Sequence, residues 1–511
     1  MLAQALFNQD NRGPIMKIAR LTSVLVLSTV TAAAAPGASA KNYLLFIADD
    51  LGRDKIRAYE ADFPGYAAAA QWLPQTNTID SLASQGLRFA RAWANPLCSP
   101  TRASLQAGLH PHREGMILSP LGENDAGLDP DFFTTPMLAE SFSSHGYATG
   151  YFGKWHIGTE DETGATGTPA AAFTDEPHPS RLGWDRFYGA LGGVIGNYTD
   201  WTRVGWLSRG DGFVANETEH ATTRTAEVAL NWINSRAAGT PWLAIVAFHA
   251  PHSRGTGNSW NETDVDLTKI RSASLSCLDP DLDPATPPTC SDVSRAGYQA
   301  LVEHIDIEIE NILLGMDPAV LDDTIIMFAG DNGTPAPASE WDFVAEADRG
   351  KGTAYETGVG VPLIIADGAT WRTGAAGAIA APNRRVFAAV TLTDIYQTLH
   401  NHAFALSVAG DVAEDSISFI DCFTEDDDFC NFPGRRFGYA ESNGWAAVHF
   451  GYEKMVADRM GNCMSATYYR TDDEPLELVE GNVDEQRLQD HFTDIHDAVP
   501  TSWANGLGFC L

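Results

Sequence analysis

Three short apolar runs of this sequence each end abruptly in polar residues. They are residues 43–48 before Asp49 and Asp50, 242–248 before His249 and His252, and 324–329 before Asp331 and Asn332. Uninterrupted apolar runs of this length are typical of strands buried on both faces, as in a parallel sheet covered by helices. Because ligands collect at the carboxyl ends of such strands, we expect these polar residues to converge on one site.

Helical patterns lie between the apolar runs, at residues 78–85, 137–144, 222–237 and 298–314. This alternation predicts an α/β fold with a large mixed, mostly parallel sheet flanked by helices. Towards the C-terminus the pattern changes to alternating segments separated by turns, at 435–442, 445–458 and 466–471. These segments predict a smaller C-terminal subdomain with an antiparallel sheet.

The N-terminal region has the pattern of a secretory leader. It has a basic start at residues 16–20, an apolar stretch at 21–35 and an Ala-Ser-Ala pattern at 38–40. We therefore expect residues 1–40 to be a signal peptide that starts at Met16, and the protein to be exported to the periplasm or the extracellular space. The alternative is that residues 16–40 remain as an N-terminal anchor. No later segment has the roughly 20 uninterrupted apolar residues of a membrane helix.

The chain has 33 Lys and Arg residues against 67 Asp and Glu residues, a formal net charge of −34. Since that charge repels polyanions, we expect neither nucleic acid nor an anionic membrane as a partner. An anionic substrate would require local positive charge at the binding site.

Seven cysteines lie at positions 98, 277, 290, 422, 430, 463 and 510. In an oxidising compartment their spacing suggests disulfides 277–290 and 422–430, and a third bridge, 463–510, that closes the C-terminal region. Cys98 remains as the odd cysteine. It is either a buried, inert thiol or a residue with chemistry of its own.

The sequence around Cys98, PLCSPTRASLQAG at 96–108, predicts a short helix. Cys98 or Ser99 can cap the helix, Pro100 suits the first turn and Gly108 suits the end. The helix N-terminus and Arg102, one turn further on, favour a bound anion such as phosphate or sulfate. A thiolate nucleophile also suits this position, but tyrosine phosphatases have an arginine six residues after the cysteine, where this chain has Ser104.

The pattern Cys-x-Pro-x-Arg at 98–102 resembles the signature of the type I, formylglycine-dependent sulfatases of the alkaline-phosphatase-like superfamily. A second signature resembles GYATGYFGKWH at 146–156, and the further elements ADDLG, APH, GDNG and RGKGTAYETGVGVP follow in family order at 48–52, 250–252, 330–333 and 349–362. Three positions depart from the pattern. Gln106 replaces an aliphatic residue, and Thr357 and Gly360 replace the Gly and Arg of Glu-Gly-Gly-x-Arg-Val-Pro.

The resemblance implies an alkaline-phosphatase-like catalytic domain at 41–400, followed by a C-terminal subdomain at 401–511. It also implies that a maturation enzyme oxidises Cys98 to formylglycine, and that a cation is bound by Asp49, Asp50, Asp331 and Asn332. These oxygen ligands suit Ca²⁺ and suit Mg²⁺ less well. The alternative is that Asp-Asp and Asp-Asn-Gly are ordinary turns at strand ends.

The same resemblance implies the other catalytic roles. Arg102, Lys154 and Lys351 neutralise the sulfate, with Lys154 and Lys351 binding the substrate together with His252. His156 hydrogen-bonds the formylglycine hydrate and acts as a base, and His252 and Lys351 help to protonate the leaving alcohol. The reaction is a double displacement in which one hydroxyl of the hydrate attacks sulfur and the second expels sulfate. Since an isolated histidine is more often structural, His249, His110 and His112 are interpreted as structural. The alternative is that His110 and His112, which directly follow the predicted helix of Cys98, contact the site.

The implied function is hydrolysis of aryl or carbohydrate sulfate esters. One rival is a phosphonate monoester or phosphodiester hydrolase of the same superfamily. A rival of another class is a non-catalytic, Ca²⁺-dependent carbohydrate-binding protein on the same scaffold.

Overall fold

A computed structural model of the chain covers most of residues 40–470. It describes residues 40–63, 73–114, 116, 136–158, 178–206, 212–254, 260, 262–272, 275, 278, 292–339, 349–405, 415–430, 437–442, 445–450, 453–460, 463–470 and 488–489. Residues 1–39 of the predicted signal peptide lie outside these residues, and so do Cys277, Cys290 and Cys510, so the bridges 277–290 and 463–510 stay predictions.

The largest element is a ten-stranded mixed sheet. Its strands in chain order are β1 (Asn42–Ala48), β2 (Leu87–Phe89), β4 (Ala148–Lys154), β5 (Arg186–Ala190), β6 (Trp201–Trp206), β7 (Gly212–Glu217), β8 (Trp242–Phe248), β9 (Thr324–Gly330), β10 (Leu363–Asp367) and β11 (Arg384–Val386). The order across the sheet is β11-β2-β10-β9-β1-β8-β4-β5-β6-β7. Strands β9, β1, β8, β4 and β5 run parallel. Strand β10 pairs antiparallel with β9, β6 pairs antiparallel with β5, and β7 pairs antiparallel with β6.

The centre of the sheet is buried on both faces, which explains its uninterrupted apolar sequence. In β1, Tyr43, Leu45 and Ile47 belong to the core on one face. Leu44, Phe46 and Ala48 belong to the core on the other face. Every residue of β1, β8 and β9 is buried, so the three predicted strands are confirmed.

Helices cover both faces of the sheet. They are α1 (Asn77–Ser84), α2 (Cys98–Ala107), α3 (Pro111–Glu114), α4 (Leu138–Ser144), α5 (Ala221–Asn234), α6 (Val293–Gly315), α7 (Pro318–Asp322), α8 (Glu356–Val359), α9 (Gly368–Thr373), α10 (Asp394–Phe404) and α11 (Asp421–Thr424). The four helical patterns of the sequence correspond to α1, α4, α5 and α6. Among the described helices, none is long and apolar enough to cross a membrane.

Two smaller sheets complete the architecture. A two-stranded parallel sheet pairs β3 (Ala92–Trp93) with β12 (Val390–Thr391). A four-stranded antiparallel sheet consists of β13 (Phe437–Ser442), β14 (Trp445–Phe450), β15 (Glu453–Met460) and β16 (Cys463–Arg470). The predicted fold class is confirmed, although the segment 445–458 forms two strands where the pattern gave one alternating segment. The disulfide Cys422–Cys430 is confirmed as well.

Candidate active site

Four neighbouring parallel strands end at the candidate site. Asp49 and Asp50 follow β1, His249 and His252 follow β8, and Asp331 and Asn332 follow β9, while Lys154 ends β4 and is followed by His156. Because β9, β1, β8 and β4 are adjacent in the sheet, their carboxyl ends bring together residues as far apart in sequence as Asp50 and Asn332, which are separated by 282 positions.

Three fully buried carboxylates lie at the centre of this group. Asp49, Asp50 and Asp331 each have an exposed fraction of 0%. Asp50 has a left-handed backbone, with a φ of 67°, and its N–H donates to Asp331 Oδ1 at 3.0 Å. Burial raises the pKa of Asp49 well above its usual range, and the charges of Asp331 and Asp50 raise it further, against the opposing charge of Lys154.

The donor set fits a hard cation. Asp49 Oδ1, Asp50 Oδ2 and Asn332 Oδ1 are buried oxygens without a hydrogen-bond partner among the described residues. A buried oxygen that lacks a partner costs about 1–3 kcal/mol, so three at the ends of adjacent strands indicate a ligand. Carboxylate and amide oxygens are the ligands that Ca²⁺ and Mg²⁺ prefer.

Cys98 is the first residue of helix α2, and its side chain is directed at the site. Its Sγ lies 3.1 Å from His156 Nδ1. Cys98, Asp49 and Asp331 each provide a potential ligand atom within 4.8 Å of the others. The predicted capping is wrong: the N-cap is Leu97, which offers no side-chain acceptor, so the helix N-terminus is not satisfied by Ser99 or Cys98. The predicted end is confirmed, since Gly108 is left-handed and its N–H donates to Ser104 O at 2.8 Å.

Arg102 lies beneath the carboxylates and is 1% exposed. Its Nε and Nη2 contact Asp331 Oδ2 at 2.9 and 2.7 Å, and its Nη1 donates to the carbonyl oxygen of Lys154 at 2.7 Å. Most of the guanidinium is therefore engaged with protein groups. Arg102 fixes Asp331 relative to the end of β4.

Three other basic side chains each lie next to one carboxylate. Lys154 Nζ donates to Asp49 Oδ2 and is fully buried. Lys351 Nζ lies 2.6 Å from Asp50 Oδ1, and His252 Nε2 lies 3.7 Å from Asp50 Oδ2. The side chains of Lys351 and His252 are 15% and 12% exposed, so they line the open side of the site. The structure thus places all ten predicted residues in one connected group.

His249 also lies at the site, as its place after β8 predicts, although the sequence interpretation gave it a structural role. It is 3% exposed, and neither ring nitrogen has a hydrogen-bond partner among the described residues. Burial lowers the pKa of His249 well below its usual value, and the nearby charges of Lys154 and Arg102 lower it further. Its position one residue beyond β8 was the available indication. His110 and His112 lie apart from this group, because their backbone N–H groups donate to Asp415 and Glu441.

A comparison with protein-family models decides the family. The model described as Sulfatase matches residues 41–404. This chain belongs to the sulfatase family. The resemblance found in the sequence motifs is confirmed.

Curated sulfatases are similar over parts of the chain. The steryl-sulfatase of Rattus norvegicus is 34% identical over 164 residues, which cover 31% of this chain and 25% of that protein. The N-acetylgalactosamine-6-sulfatase of Homo sapiens is 26% identical over 353 residues, 63% of this chain and 56% of that protein. The ulvan-active sulfatase of Formosa agariphila is 26% identical over 57% of this chain and 51% of that protein. The chain therefore spans between a quarter and somewhat more than half of these relatives.

Solved structures of sulfatases share the fold over almost the whole chain. The crystal structure of Ps i-CgsB has a TM-score of 0.67 at 20% identity, and the match covers 92% of this chain and 95% of that chain. The sulfatase PsFucS1 from Pseudoalteromonas sp. has a TM-score of 0.62 at 19% identity and covers 91% and 92%. At this level of identity the similarity establishes the fold.

Proposed function

We propose that this chain is an exported sulfatase that hydrolyses aryl or carbohydrate sulfate esters, using a formylglycine made from Cys98 and a bound Ca²⁺. The observation that carries the proposal is the position of Cys98. Its sulfur contacts His156 on one side and lies within 4.8 Å of ligand atoms of Asp49 and Asp331 on the other.

The charge of the site supports an anionic substrate. Three carboxylates, Asp49, Asp50 and Asp331, are matched by three cationic side chains, Arg102, Lys154 and Lys351. A divalent cation held by the unpartnered oxygens of Asp49, Asp50 and Asn332 gives this group an excess of positive charge. That excess is what a sulfate ester requires on a chain whose formal net charge is −34.

Two further groups would supply the chemistry that the side chains lack. An aldehyde at residue 98 would, once hydrated, provide a hydroxyl nucleophile that a thiol does not. A Ca²⁺ held by Asp49, Asp50, Asp331 and Asn332 would provide a fixed double charge for the sulfate oxygens.

The chain's own residues then orient the substrate and move protons. His156 Nδ1, next to the Cβ substituent of residue 98, is placed to accept a proton from a hydroxyl at that position. Lys351 and His252, on the open side, are placed to contact the ester oxygen and to donate a proton to the leaving alcohol. Arg102 and Lys154 hold Asp331 and Asp49 in place.

Export and the division into domains remain part of the proposal. The disulfide Cys422–Cys430 supports an oxidising compartment. The division into a catalytic domain at 41–400 and a C-terminal subdomain at 401–511 is supported by the change from the large sheet to the separate four-stranded sheet. A maturation enzyme for Cys98 is the partner that the proposal requires.

The substrate is an ester of an aryl or a sugar alcohol. The relatives include steryl-sulfatases and arylsulfatases as well as sulfatases named for N-acetylgalactosamine 6-sulfate and ulvan. These names cover both classes, so the proposal keeps both.

The test combines mass spectrometry with kinetics. Protein co-expressed with a formylglycine-generating enzyme is digested, and the peptide with residue 98 is weighed for conversion of the thiol to an aldehyde. Turnover of 4-nitrophenyl sulfate is measured with Ca²⁺ for the wild type, Cys98→Ala and Ser99→Ala. Ser99 is the matched control, because it is the next residue of the same helix and is equally buried.

We expect conversion in the wild type, and a loss of at least about 10³-fold in kcat for Cys98→Ala with little change for Ser99→Ala. Full activity of Cys98→Ala would contradict the proposal. An aryl phosphonate is tested in parallel, and faster turnover of the phosphonate would favour the rival phosphonate hydrolase. Ca²⁺-dependent sugar binding without turnover would favour the non-catalytic rival.

A further inference from the structure

Gly360 occupies a position where the sulfatase pattern given above has an arginine. Its backbone is extended, with φ −75° and ψ 110°, so the local conformation does not require a glycine. A Cβ built on it would lie 2.9 Å from Glu356 Oε1 and 3.2 Å from Arg53 Nε. The space next to Gly360 is therefore filled by a guanidinium that comes from another part of the chain.

Arg53 provides this guanidinium from the loop that follows Asp50. It is 8% exposed, its Nη2 forms an ion pair with Glu356 Oε1, and its Nη1 donates to the carbonyl oxygen of Ala90. Its backbone N–H donates to Gly360 O at 3.3 Å. Arg53 is thus bound to the segment of Glu356 by both its main chain and its side chain.

Glu356 is bound from its other side by the four-stranded sheet. Lys454 Nζ of β15 lies 3.2 Å from Glu356 Oε2, and the indole N–H of Trp93 donates to the same oxygen at 3.2 Å. Lys454 also lies over the Trp93 ring, and His449 stacks on that ring at 4.0 Å. We name the group of Arg53, Trp93, Glu356, His449 and Lys454 the Glu356 cluster.

The segment 356–362 connects this cluster to the candidate site. On one side, Gly333 N–H donates to Gly358 O at 2.9 Å, directly after the predicted ligands Asp331 and Asn332. On the other side, Ala94 N–H donates to Val359 O at 2.9 Å, four residues before Cys98. Through Arg53 the same segment reaches the loop of Asp49 and Asp50. Its position therefore affects both halves of the metal site and the approach to Cys98.

We propose that Arg53 replaces the arginine of the family pattern at position 360, and that through Glu356 it positions the segment 356–362 and with it the metal-binding loops. The positioning role rests on the proposed function. The replacement itself rests only on the contacts of Arg53, Glu356 and Gly360. Arg53 is a positioning residue, since it acts through Glu356.

The test is a double-mutant cycle between positions 53 and 360. Because a Cβ at 360 would also lie 2.6 Å from the carbonyl oxygen of Glu356, Gly360→Ala measures the cost of the Cβ alone. Gly360→Ala and Gly360→Arg are each made with Arg53 and with Arg53→Ala. The difference between Arg and Ala at position 360 is then compared in the two backgrounds.

Three readouts are measured: Tm without metal, the Kd for Ca²⁺ by calorimetry, and kcat and KM for 4-nitrophenyl sulfate. With Arg53 present, Arg at 360 places two guanidinium groups on one carboxylate, so we expect it to lower Tm relative to Ala. In the Arg53→Ala background we expect Arg at 360 to raise Tm. Arg53→Ala alone should weaken Ca²⁺ binding about 10- to 100-fold and lower kcat more than it changes KM. Arg at 360 should restore part of both losses.

If Gly360→Arg changes Tm relative to Gly360→Ala by the same amount with Arg53 and with Arg53→Ala, Arg53 does not replace the arginine of the family pattern. Recovery of Tm without recovery of Ca²⁺ affinity or kcat would overturn the positioning role. If the wild type does not hydrolyse the sulfate ester, the proposed function fails, but the Tm cycle still decides whether Arg53 replaces the missing arginine.

Discussion

Two regions of this protein bury several charged groups, and they differ in whether the buried carboxylate oxygens have hydrogen-bond partners. In the Glu356 cluster both carboxylate oxygens of Glu356 have donors, from Arg53, Lys454 and Trp93. At the strand ends, Asp49 Oδ1 and Asp50 Oδ2 have no hydrogen-bond partner among the described residues. Since an unpartnered buried oxygen is costly, the second region is built for something that the chain itself does not supply. The first region is built for stability and position.

The pKa values show the same contrast. Burial tends to raise the pKa of Glu356, but the charges of Arg53 and Lys454 outweigh it and lower the pKa to about 2. Burial raises the pKa of Asp49 in spite of Lys154 next to it. The charges next to Glu356 therefore outweigh the effect of burial on its pKa, whereas the charges next to Asp49 do not.

The largest effect on stability is expected from removing the negative charge of the Glu356 cluster. Glu356→Gln leaves Arg53 and Lys454 buried without a counter-charge, so the free energy of unfolding should fall by about 3–5 kcal/mol. Chemical denaturation measures it. The control is Asp322→Asn, which removes an exposed carboxylate paired with Arg372 and should have a far smaller effect. Equal losses of unfolding free energy in Glu356→Gln and Asp322→Asn would contradict a stabilising role of the Glu356 cluster.

A substitution at the candidate active site should lower activity and hardly change stability. Lys351→Met removes the cation on the open side of the site, so kcat/KM should fall about 10²- to 10³-fold. Lys269→Met is the control, because Lys269 also pairs with a carboxylate, Glu308 at 2.7 Å, which is not one of the predicted site residues. A large loss of Tm with little loss of kcat/KM would place Lys351 among the structural residues.

Removing the cation tests the unpartnered oxygens directly. Chelation with EGTA should lower the free energy of unfolding by about 2.7 kcal/mol relative to Ca²⁺ at 100 times its Kd, since the ion binds the folded chain. Ca²⁺ should restore the difference and Mg²⁺ should restore less. Denaturation curves that coincide with and without Ca²⁺ would contradict the metal site.

The smallest effect is expected from a buried pair at β13. Burial lowers the pKa of His112, but its contact with Glu441 outweighs burial and raises the pKa above its ordinary value. Because the folded-state pKa is raised, the pair contributes fully below the ordinary pKa of histidine, and the contribution is lost as pH rises through the folded value. The stability difference between the wild type and His112→Gln should therefore shrink from about pH 6 upwards. A constant difference would contradict a charged His112.

The sequence predicted the parts of the fold that depend on local pattern. The strands at 242–248 and 324–329 could be predicted because burial on both faces gives them an uninterrupted apolar sequence. The location of the site could be predicted because parallel strands end at one edge of the sheet. The N-cap of α2 was not readable, since Leu97 carries no capping side chain and the helix end faces the site. Under the proposed function, this uncapped N-terminus is left for the anionic substrate, which is why it departs from the local rule.

Contacts over long sequence separations could not be predicted in the same way. Arg53 is an unremarkable cation in its own segment, and Glu356 lies 303 positions away. His249 was expected near the strand ends but was interpreted as structural, because an isolated histidine usually is. The charges of Lys154 and Arg102 around it do not show in its own segment. The buried strands β1, β8 and β9 were predicted from the sequence, but the partners of each buried charge were not.

Under the proposed function, the burial of helix α2 sets the order in which oxidation of Cys98 and folding occur. All ten residues of the helix are buried, and Cys98 is 2% exposed. A maturation enzyme has to enclose the side chain that it oxidises, and the folded chain gives it no room to do so. If Cys98 is the precursor of the nucleophile, its oxidation has to come while the chain is still extended, before α2 packs on the sheet. A molecule that folds too early would be well formed and permanently inactive.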